Sequence, residues 1–579
     1  MANRLILTKE KFYQDLMSNT LGSSAIKIKG EIAINSSIII WESRTIQNVL
    51  FQEKVFIHDV DIQFGLHFID CIFEKGIAFK NVKNTKNSTN EDDRKGGISF
   101  RNCKAQFISF ENLCEIKRGV VIDAKSEIRV IRCIQKTVFG NLGLKIKNST
   151  VSELLDISNC NLELRINSSE VKTLRIESMK GDVSLINSIF TDWVKFWNVE
   201  CPNNLTLNYN TFKKEFEVKA SRIKGFYIHG DTFLRKSKLE NRGDSEQNIH
   251  VHLDEIYITD ANFVESFEFD GMGENLSKIT LPLSLNAKGV LKIHNWKIKE
   301  TLVSGVNQNL KLLFSMIGFK RLMLTNFSNF GVVNFDGITA LNLDFKTIND
   351  PESSIIIANS ILGLTRFSEF DFESFSFINL SFTSFDGIEA SNVNWFSDNK
   401  LQINSQLPSS ELDFRRKREI YRQIKQTLRS KGNQIDSLIF QAREMRTYRE
   451  ELKSSKNYSC SDRIIMTVNQ TNGYGINWLK SLSLILLITF ITYLITLPMF
   501  SRKMTYALGN DFVSFEIYWN EFINKLSTLA QMFNPARKFS STYGNNVTTT
   551  LYFLDLLHRI VLGILIFQLI RAFRRLASK

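Results

Sequence analysis

Cysteine and histidine are both scarce in this chain, with seven of each in 579 residues. Cys71, Cys103, Cys114, Cys133, Cys160, Cys201 and Cys460 form no C-x-x-C pair. An odd number in a long chain argues against a disulfide framework. Six of the seven fall in an apolar repeat region, where cysteine acts as a small hydrophobe. His250 and His252 share one strand face, with Asp254 nearby. A metal site needs further ligands that the sequence does not place, so two surface histidines are the simpler reading and no metal or other cofactor is expected. There is no G-x-x-x-x-G-K-S/T loop and no G-x-G-x-x-G opening a helix. No nucleophile elbow is present either. Carboxylates on a β-helix can serve as glycosidase acids, but such enzymes are normally exported. The N-terminus, MANRLILTKEKF, lacks the uninterrupted apolar stretch of a signal peptide. The expectation is a non-enzymatic protein whose body stays in the cytosol.

The body also lacks a charge excess. Residues 411–579 hold 25 of the 73 basic and 12 of the 60 acidic residues, so the first 410 residues carry 48 of each and the net +13 lies entirely in the last part. A nucleic-acid-binding body would show its basic excess in the main domain, so nucleic acid is not an expected partner. Basic residues beside a membrane are instead attracted to anionic lipid, by about 1 kcal/mol each.

Long uncharged apolar runs are confined to the C-terminal part. Ser481 to Phe500, SLSLILLITFITYLITLPMF, has twenty residues and no charge, enough to cross a hydrocarbon core of about 30 Å. Lys480 precedes it, Arg502 and Lys503 follow, and Trp478 stands where an aromatic belt would place it. A second span is read at 551–570, LYFLDLLHRIVLGILIFQLI, followed by Arg571, Arg574, Arg575 and Lys579. That basic cluster marks a cytoplasmic end, so both termini are expected inside, at the inner (cytoplasmic) membrane of a bacterium. The connection at 501–550, with five basic and three acidic residues, lies outside or dips back into the bilayer.

Before the spans, the chain reads in order as an N-terminal capping segment (1–25), a repeat domain (26–397), a linker (398–410), a basic helical hairpin (411–458) and the membrane module (459–579). Thr8 to Ser18 predicts a short helix with Thr8 as N-cap and Phe12, Leu16 and Met17 on its apolar side. In the repeat domain, apolar doublets recur at Leu164/Ile166, Leu174/Ile176, Val183/Leu185, Val194/Phe196, Leu205/Leu207, Phe216/Val218 and Phe226/Ile228. Alternation inside each doublet argues strand, and the constant step argues repetition. Two steps make one coil of a right-handed parallel β-helix, so the chain is mainly β. A β-sandwich also spaces its strands this way, but hairpin turn signals are lacking. Asn159, Asn187, Asn198 and Asn210 suit the corners, since Asn tolerates a left-handed backbone. Near the end, Phe375, Phe377, Leu380, Phe382 and Phe385 tighten the spacing towards five and resemble pentapeptide-repeat proteins, in which a central Leu or Phe points inward. Asn84 to Gly97 and Arg235 to Asn248 read as polar surface insertions.

The period then changes from 2 to 3.6. Glu411 to Ser430 carries Phe414, Tyr421, Ile424 and Leu428 on one side and a thick basic face including Arg415, Arg416, Lys417 and Arg418. With Arg571, Arg574 and Arg575 these form the expected membrane-surface set. Lys431-Gly432-Asn433 is a turn. Asn433 to Leu452 carries Ile435, Leu438, Ile439, Ala442, Met445 and Tyr448 at helical spacing, completing a hairpin similar to one tetratricopeptide-like unit. Ser459 to Ile476, with Ile464, Ile465, Met466 and Val468, is read as an interfacial segment.

The second span is not plain. Asp555 and Arg559 are four apart and can pair on one helix face, with His558 beside them. Ionisable residues in a span are costly and usually face a bundle interior or a water path. These three are the foremost candidate site, as pore-lining residues or as a pair that locks helices or subunits together. Ser481 to Phe500 is read as the plainer, lipid-facing span. Between the spans, Glu516 to Phe533 puts Ile517, Phe522, Ile523, Leu526, Ala530 and Phe533 on one helical stripe.

The part from Tyr421 through Arg575 resembles the tail of a bacterial family of β-helix or pentapeptide-repeat membrane proteins. The matching stretches are QAREMRTYREEL, GYGINWLKSL, FNPARKF and LHRIVLGILIFQLIRAFRR. The resemblance implies a two-span, channel-like module. No T-V-G-Y-G-type filter follows the helix between the spans, which argues against a selective potassium pore, and Gly473-Tyr474-Gly475 precedes the first span. Two functions remain open. One is a membrane-anchored module with a protein partner on the β-helix surface. The other is a homo-oligomeric channel-like effector gated by the β-helix.

Overall fold

Alternating side chains of a strand point to opposite faces, so strands joined by sharp corners can wind around an apolar interior. The computed structural model describes residues 5–577 except 19–25, 35–42, 63–64, 85–96, 141, 241–252, 350–353, 386–387, 404–410, 455–458, 502–503, 505–512 and 545–547. The chain divides into two units, Met1–Leu401 and Gln402–Lys579. The first is a parallel β-solenoid of about 14 turns.

Consecutive doublets alternate between two sheets. Leu164/Ile166, Val183/Leu185, Leu205/Leu207 and Phe226/Ile228 stack in register on one. Leu174/Ile176, Val194/Phe196 and Phe216/Val218 stack on the other. These side chains fill the interior, and aromatic rings form columns along it. Phe212 lies between Phe190 and Phe233, with centroids 5.0 and 4.8 Å away and rings nearly parallel. Offset stacking of this kind adds to the area that burial removes from water. The six cysteines of this unit are buried free thiols, and burial pushes Cys160 up to about 12.

The corners follow one rule. A residue in the left-handed region turns the chain, and the next side chain points inward. Asn159, Asn187 and Asn198 have φ of 53°, 47° and 53°. Asn210 departs from its expected role: Tyr209 is the left-handed residue, with φ 53°, and Asn210 is buried. The inward column at this corner is polar and satisfies itself. The amide of Ser149 donates to Ser169 Oγ at 3.2 Å, that of Ser169 to Ser188 Oγ at 3.2 Å, and that of Ser188 to Asn210 Oδ1 at 3.0 Å. The Asn210 amide donates to Asp231 Oδ1 at 2.7 Å, and Asn210 Nδ2 donates to the same oxygen at 2.8 Å.

The N-terminal end is covered. Leu5–Leu7 pairs with Ile26–Ile28, and α1 (Lys9–Ser18) buries Phe12 and Leu16. The Tyr13 hydroxyl donates to the Ala33 carbonyl and accepts from the Ala33 amide, both at 2.8 Å, which occupies an open strand edge. Met17 is exposed and does not join the apolar side expected of it. Towards the other end, Phe375, Leu380 and Phe385 are buried at five-residue steps, whereas Phe382 is left-handed and 64% exposed. The predicted insertions are shorter than the sequence suggests. Lys83–Asn84 and Ser237–Glu240 are strands, because Leu239 continues the column of Val218. Residues 85–96 and 241–252, which hold most of both insertions and His250 and His252, lie outside the described residues.

The second unit is helical among its described residues. α2 (Glu411–Ser430) and α3 (Gln434–Ser454) form the hairpin, followed by α4 (Cys460–Gln470), α5 (Trp478–Phe500), α6 (Val513–Asn524), α7 (Leu526–Met532), α8 (Phe539–Tyr543) and α9 (Thr549–Ala577). Tyr421, Ile424 and Leu428 of α2 are buried, with Tyr421 beside Phe440 at 6.0 Å between ring centroids. α3 has two apolar faces. Phe440 packs towards α2, whereas Ala442, Met445 and Tyr448 pack with Met466 of α4 and Tyr474. Ile435, expected on the apolar stripe, is exposed.

Asp231 carries a consequence for stability. Burial pushes its carboxyl up from 3.8 to about 7, despite hydrogen bonds from Asn210 and the His229 amide. The folded state therefore holds a proton that the unfolded chain has released, and stability falls as pH rises from about 4 through about 7. Asp231→Asn should flatten that fall, measured as the midpoint of chemical unfolding at pH 5 and pH 8.

Candidate functional site

α5 and α9 are each long and apolar enough to cross a membrane. They run antiparallel. Trp478 at the start of α5 meets Phe573 near the end of α9, with ring centroids 4.9 Å apart. Ile485 packs with Leu562 and Leu565, and Thr489 meets His558. The start of α5 and the end of α9 therefore lie at one end of the pair. At that end Asn472 Nδ2 donates to the Gln568 side chain at 2.7 Å and to its carbonyl at 3.1 Å, while Asn472 Oδ1 accepts from the Gly475 amide at 2.9 Å. This ties the left-handed turn at Tyr474, φ 62°, to α9.

Towards the other end, four polar side chains are buried together. Asp555, on the first turns of α9, is the centre. Arg559 Nε donates to Asp555 Oδ2 at 2.6 Å, the i, i+4 pair that the sequence suggests. Arg537 donates to Asp555 Oδ1, and the Tyr543 hydroxyl donates to the same oxygen at 3.1 Å. Arg537 Nη1 donates to the Met532 carbonyl at 2.9 Å, and Arg559 Nη1 donates to the Arg537 carbonyl at 2.7 Å. His558 Nδ1 lies 3.3 Å from Arg537 Nη2. A guanidinium can only donate, so Nδ1 accepts and Nε2 carries the proton towards Thr489 Oγ1, 3.3 Å away. The imidazole is neutral in this arrangement.

Arg537 was not singled out by the sequence reading, although it lies in FNPARKF. The local signal is an Asx turn. Asn534 Oδ1 accepts from the Ala536 amide at 2.9 Å, Pro535 stops α7, and the turn swings Arg537 under α9. α5 also contributes more than expected. Thr489, Tyr493 and Thr496 are buried, so the first span is not the plain one. α9 exposes as much apolar surface, including Phe553, Leu556, Ile560 and Phe567.

The connection between the spans folds back along α5. The Tyr493 hydroxyl donates to the Phe522 carbonyl at 2.8 Å, and the Tyr518 hydroxyl to the Leu494 carbonyl at 2.7 Å. Tyr493 lies seven residues before the end of α5, about 10 Å along the axis. The stretch at 516–533, expected as one helix, is two, broken at Lys525 beside the carbonyl that Tyr493 engages.

The basic residues of α2 are not one free face. Arg418 Nε pairs with Glu451 at 3.0 Å and stacks over Tyr448, and Lys425 pairs with Glu444 at 2.7 Å. Arg416 lies 3.8 Å from Asp413, Arg415 is exposed, and Lys417 is half-buried. Arg571 donates to Asn469 Oδ1 at 3.1 Å. Arg574 is exposed, and the side chain of Arg575 lies outside the described ones. Among the described residues no group of three or more His, Cys, Asp or Glu is placed to hold a metal ion. No family model, curated protein or solved structure matches the chain, so its resemblance to the bacterial repeat membrane proteins rests on the quoted stretches alone.

Breaking a buried ion pair from one side costs about 3–5 kcal/mol. Asp555→Asn leaves two guanidinium groups without a counter-charge, whereas Arg559→Gln leaves Asp555 with Arg537. Asp555→Asn should therefore lower the melting temperature in detergent micelles markedly more than Arg559→Gln.

Proposed function

We propose that the chain is a membrane-anchored, non-enzymatic repeat protein whose solenoid presents a binding or sensing surface in the cytosol. The observation that carries this reading is the exposure of the two apolar helices. Only 28% of each apolar window is buried, and Leu486, Leu487, Phe490 and Ile495 on α5 face outward as fully as their counterparts on α9. A core helix of a water-soluble protein would bury such residues, whereas lipid tails accept them. The antiparallel pairing supports a common side for the solenoid and the C-terminus. The basic cluster at Arg571 and Arg574 supports the cytoplasmic face of a bacterial inner membrane for that end of α9. On α4, exposed Ile464 and Ile465, with Arg415 and Arg574, suit contact with anionic headgroups. The solenoid's outer face is a ladder of opposite charges, such as Lys195, Glu217 and Lys238. It suits a protein partner better than a polyanion.

Cys460 reports the topology, since it is the exposed cysteine and the other six are buried. A membrane-impermeant maleimide should label it in inverted vesicles and not in intact cells, and carbonate washing should leave the protein in the membrane. Release by carbonate would overturn the reading.

The fold-back of α6 and α7 beside α5 favours a second reading, a homo-oligomeric channel-like effector gated by the solenoid. Purified protein in liposomes would then pass ions, and Asp555→Asn would change that flux. Absence of flux from every oligomeric form leaves the anchor reading alone.

A further inference from the structure

Two guanidinium groups share one carboxylate in the cluster on α9. Arg537 and Arg559 both bond Asp555, and His558 accepts from Arg537 as a neutral ring. One positive charge is left unbalanced. Two guanidinium nitrogens, Arg537 Nε and Arg559 Nη2, are buried without a hydrogen-bond partner among the described residues. The Arg537 side chain is only 3% exposed. A buried unmatched donor is costly, and more so when it is charged. Each such group calls for an explanation, and an acceptor from outside the chain is one.

Arg559 and Asp555 also line a groove of about 480 Å³, whose remaining walls are Phe539, Thr549, Tyr552, Phe553 and Leu556. The groove opens on the side where Phe553 and Leu556 are exposed. Depth decides what can enter it. Thr549–Arg574 is 26 residues long, or about 39 Å, against a hydrocarbon core of about 30 Å. Asp555 and Arg559 lie about 9 and 15 Å from the start of α9. Centring the helix places the backbone of Asp555 about 4.5 Å and that of Arg559 about 10.5 Å beneath the hydrocarbon boundary, and the Arg559 side chain reaches back one turn towards that boundary to bond Asp555.

We propose that this groove binds an anionic phospholipid, its headgroup phosphate seated on Arg559 and its acyl chain along the aromatic wall. The inference rests on α5 and α9 crossing the bilayer. A net negative headgroup balances the spare charge, and a zwitterionic one does not. The site is at the end of α9 opposite Arg571 and Arg574, so it is separate from the basic surface at that other end.

The test uses the full chain, purified and stripped of lipid in detergent, with melting followed as phosphatidylglycerol, phosphatidylcholine or inorganic phosphate is titrated. Phosphatidylglycerol should raise the melting temperature and bind about tenfold more tightly than phosphatidylcholine, whose choline cation offsets the phosphate charge. Arg559→Gln should abolish that preference. Phe553→Ala, on the exposed wall, should weaken the lipid without unfolding the helices. Lys104→Gln, on the solenoid, should leave the preference unchanged. Equal binding of the two lipids, or a preference that survives Arg559→Gln, would overturn the proposal. A shift reproduced by inorganic phosphate alone would replace the lipid with a free anion and overturn it too. A chain that stays soluble without detergent would instead overturn the membrane reading on which the proposal rests.

Discussion

Every coil of the solenoid leaves a strand edge whose amides and carbonyls only another coil can satisfy. That requirement governs the first unit. It demands that successive coils keep the same length and corner geometry, so that doublets fall on doublets and corners on corners. Insertions are tolerated only at corners, where they leave the ladder intact. It also demands a closure at each end. Leu5–Leu7 supplies a strand, and the Tyr13 hydroxyl answers both polar groups of Ala33. The same rule reaches the interior corner, where Ser, Asn and Asp side chains accept from the amides of neighbouring coils.

The helical unit meets the same need differently. Helices satisfy their own backbone, so the two apolar ones can face lipid, and the side chains between them carry the exceptions. Asn472 with Gln568 joins the segment before α5 to the end of α9. Tyr493 and Tyr518 tie the fold-back to α5. Arg537, Asp555, Arg559 and Tyr543 tie the chain after α7 to α9. These polar ties fix which segments meet where apolar contact alone would allow sliding. The last of them is incomplete in charge and in hydrogen bonding, with Arg537 Nε and Arg559 Nη2 left without partners among the described residues.

Much of the fold was legible in the sequence because it depends on short periods. The two-residue alternation and the ten-residue step foretold the alternate sheets, and Thr8, Phe12 and Leu16 foretold the capping helix. Asp555 and Arg559 were legible as a pair because four residues bring two side chains to one helix face. Arg537 was not, since it is 18 residues from Asp555 and only a turn at Asn534-Pro535 brings them together. Asn210 was misplaced by one residue because composition marks a corner without saying which residue adopts the left-handed backbone. Ile435 and Met17 were misassigned because an apolar residue near a stripe looks the same as one on it until a neighbour covers one and not the other.

The sequence by itself determined the division into a neutral repeat body and a basic helical part, the coil length, the two apolar helices and the local Asp555–Arg559 pair. All of these follow from interactions between residues near in sequence or from composition along the chain. Only the tertiary structure decided that α3 is apolar on two faces, that α6 and α7 fold back along α5, and that Asp555 answers two arginines. Those features depend on contacts between residues far apart in the chain, and such contacts exist only once the helices have packed.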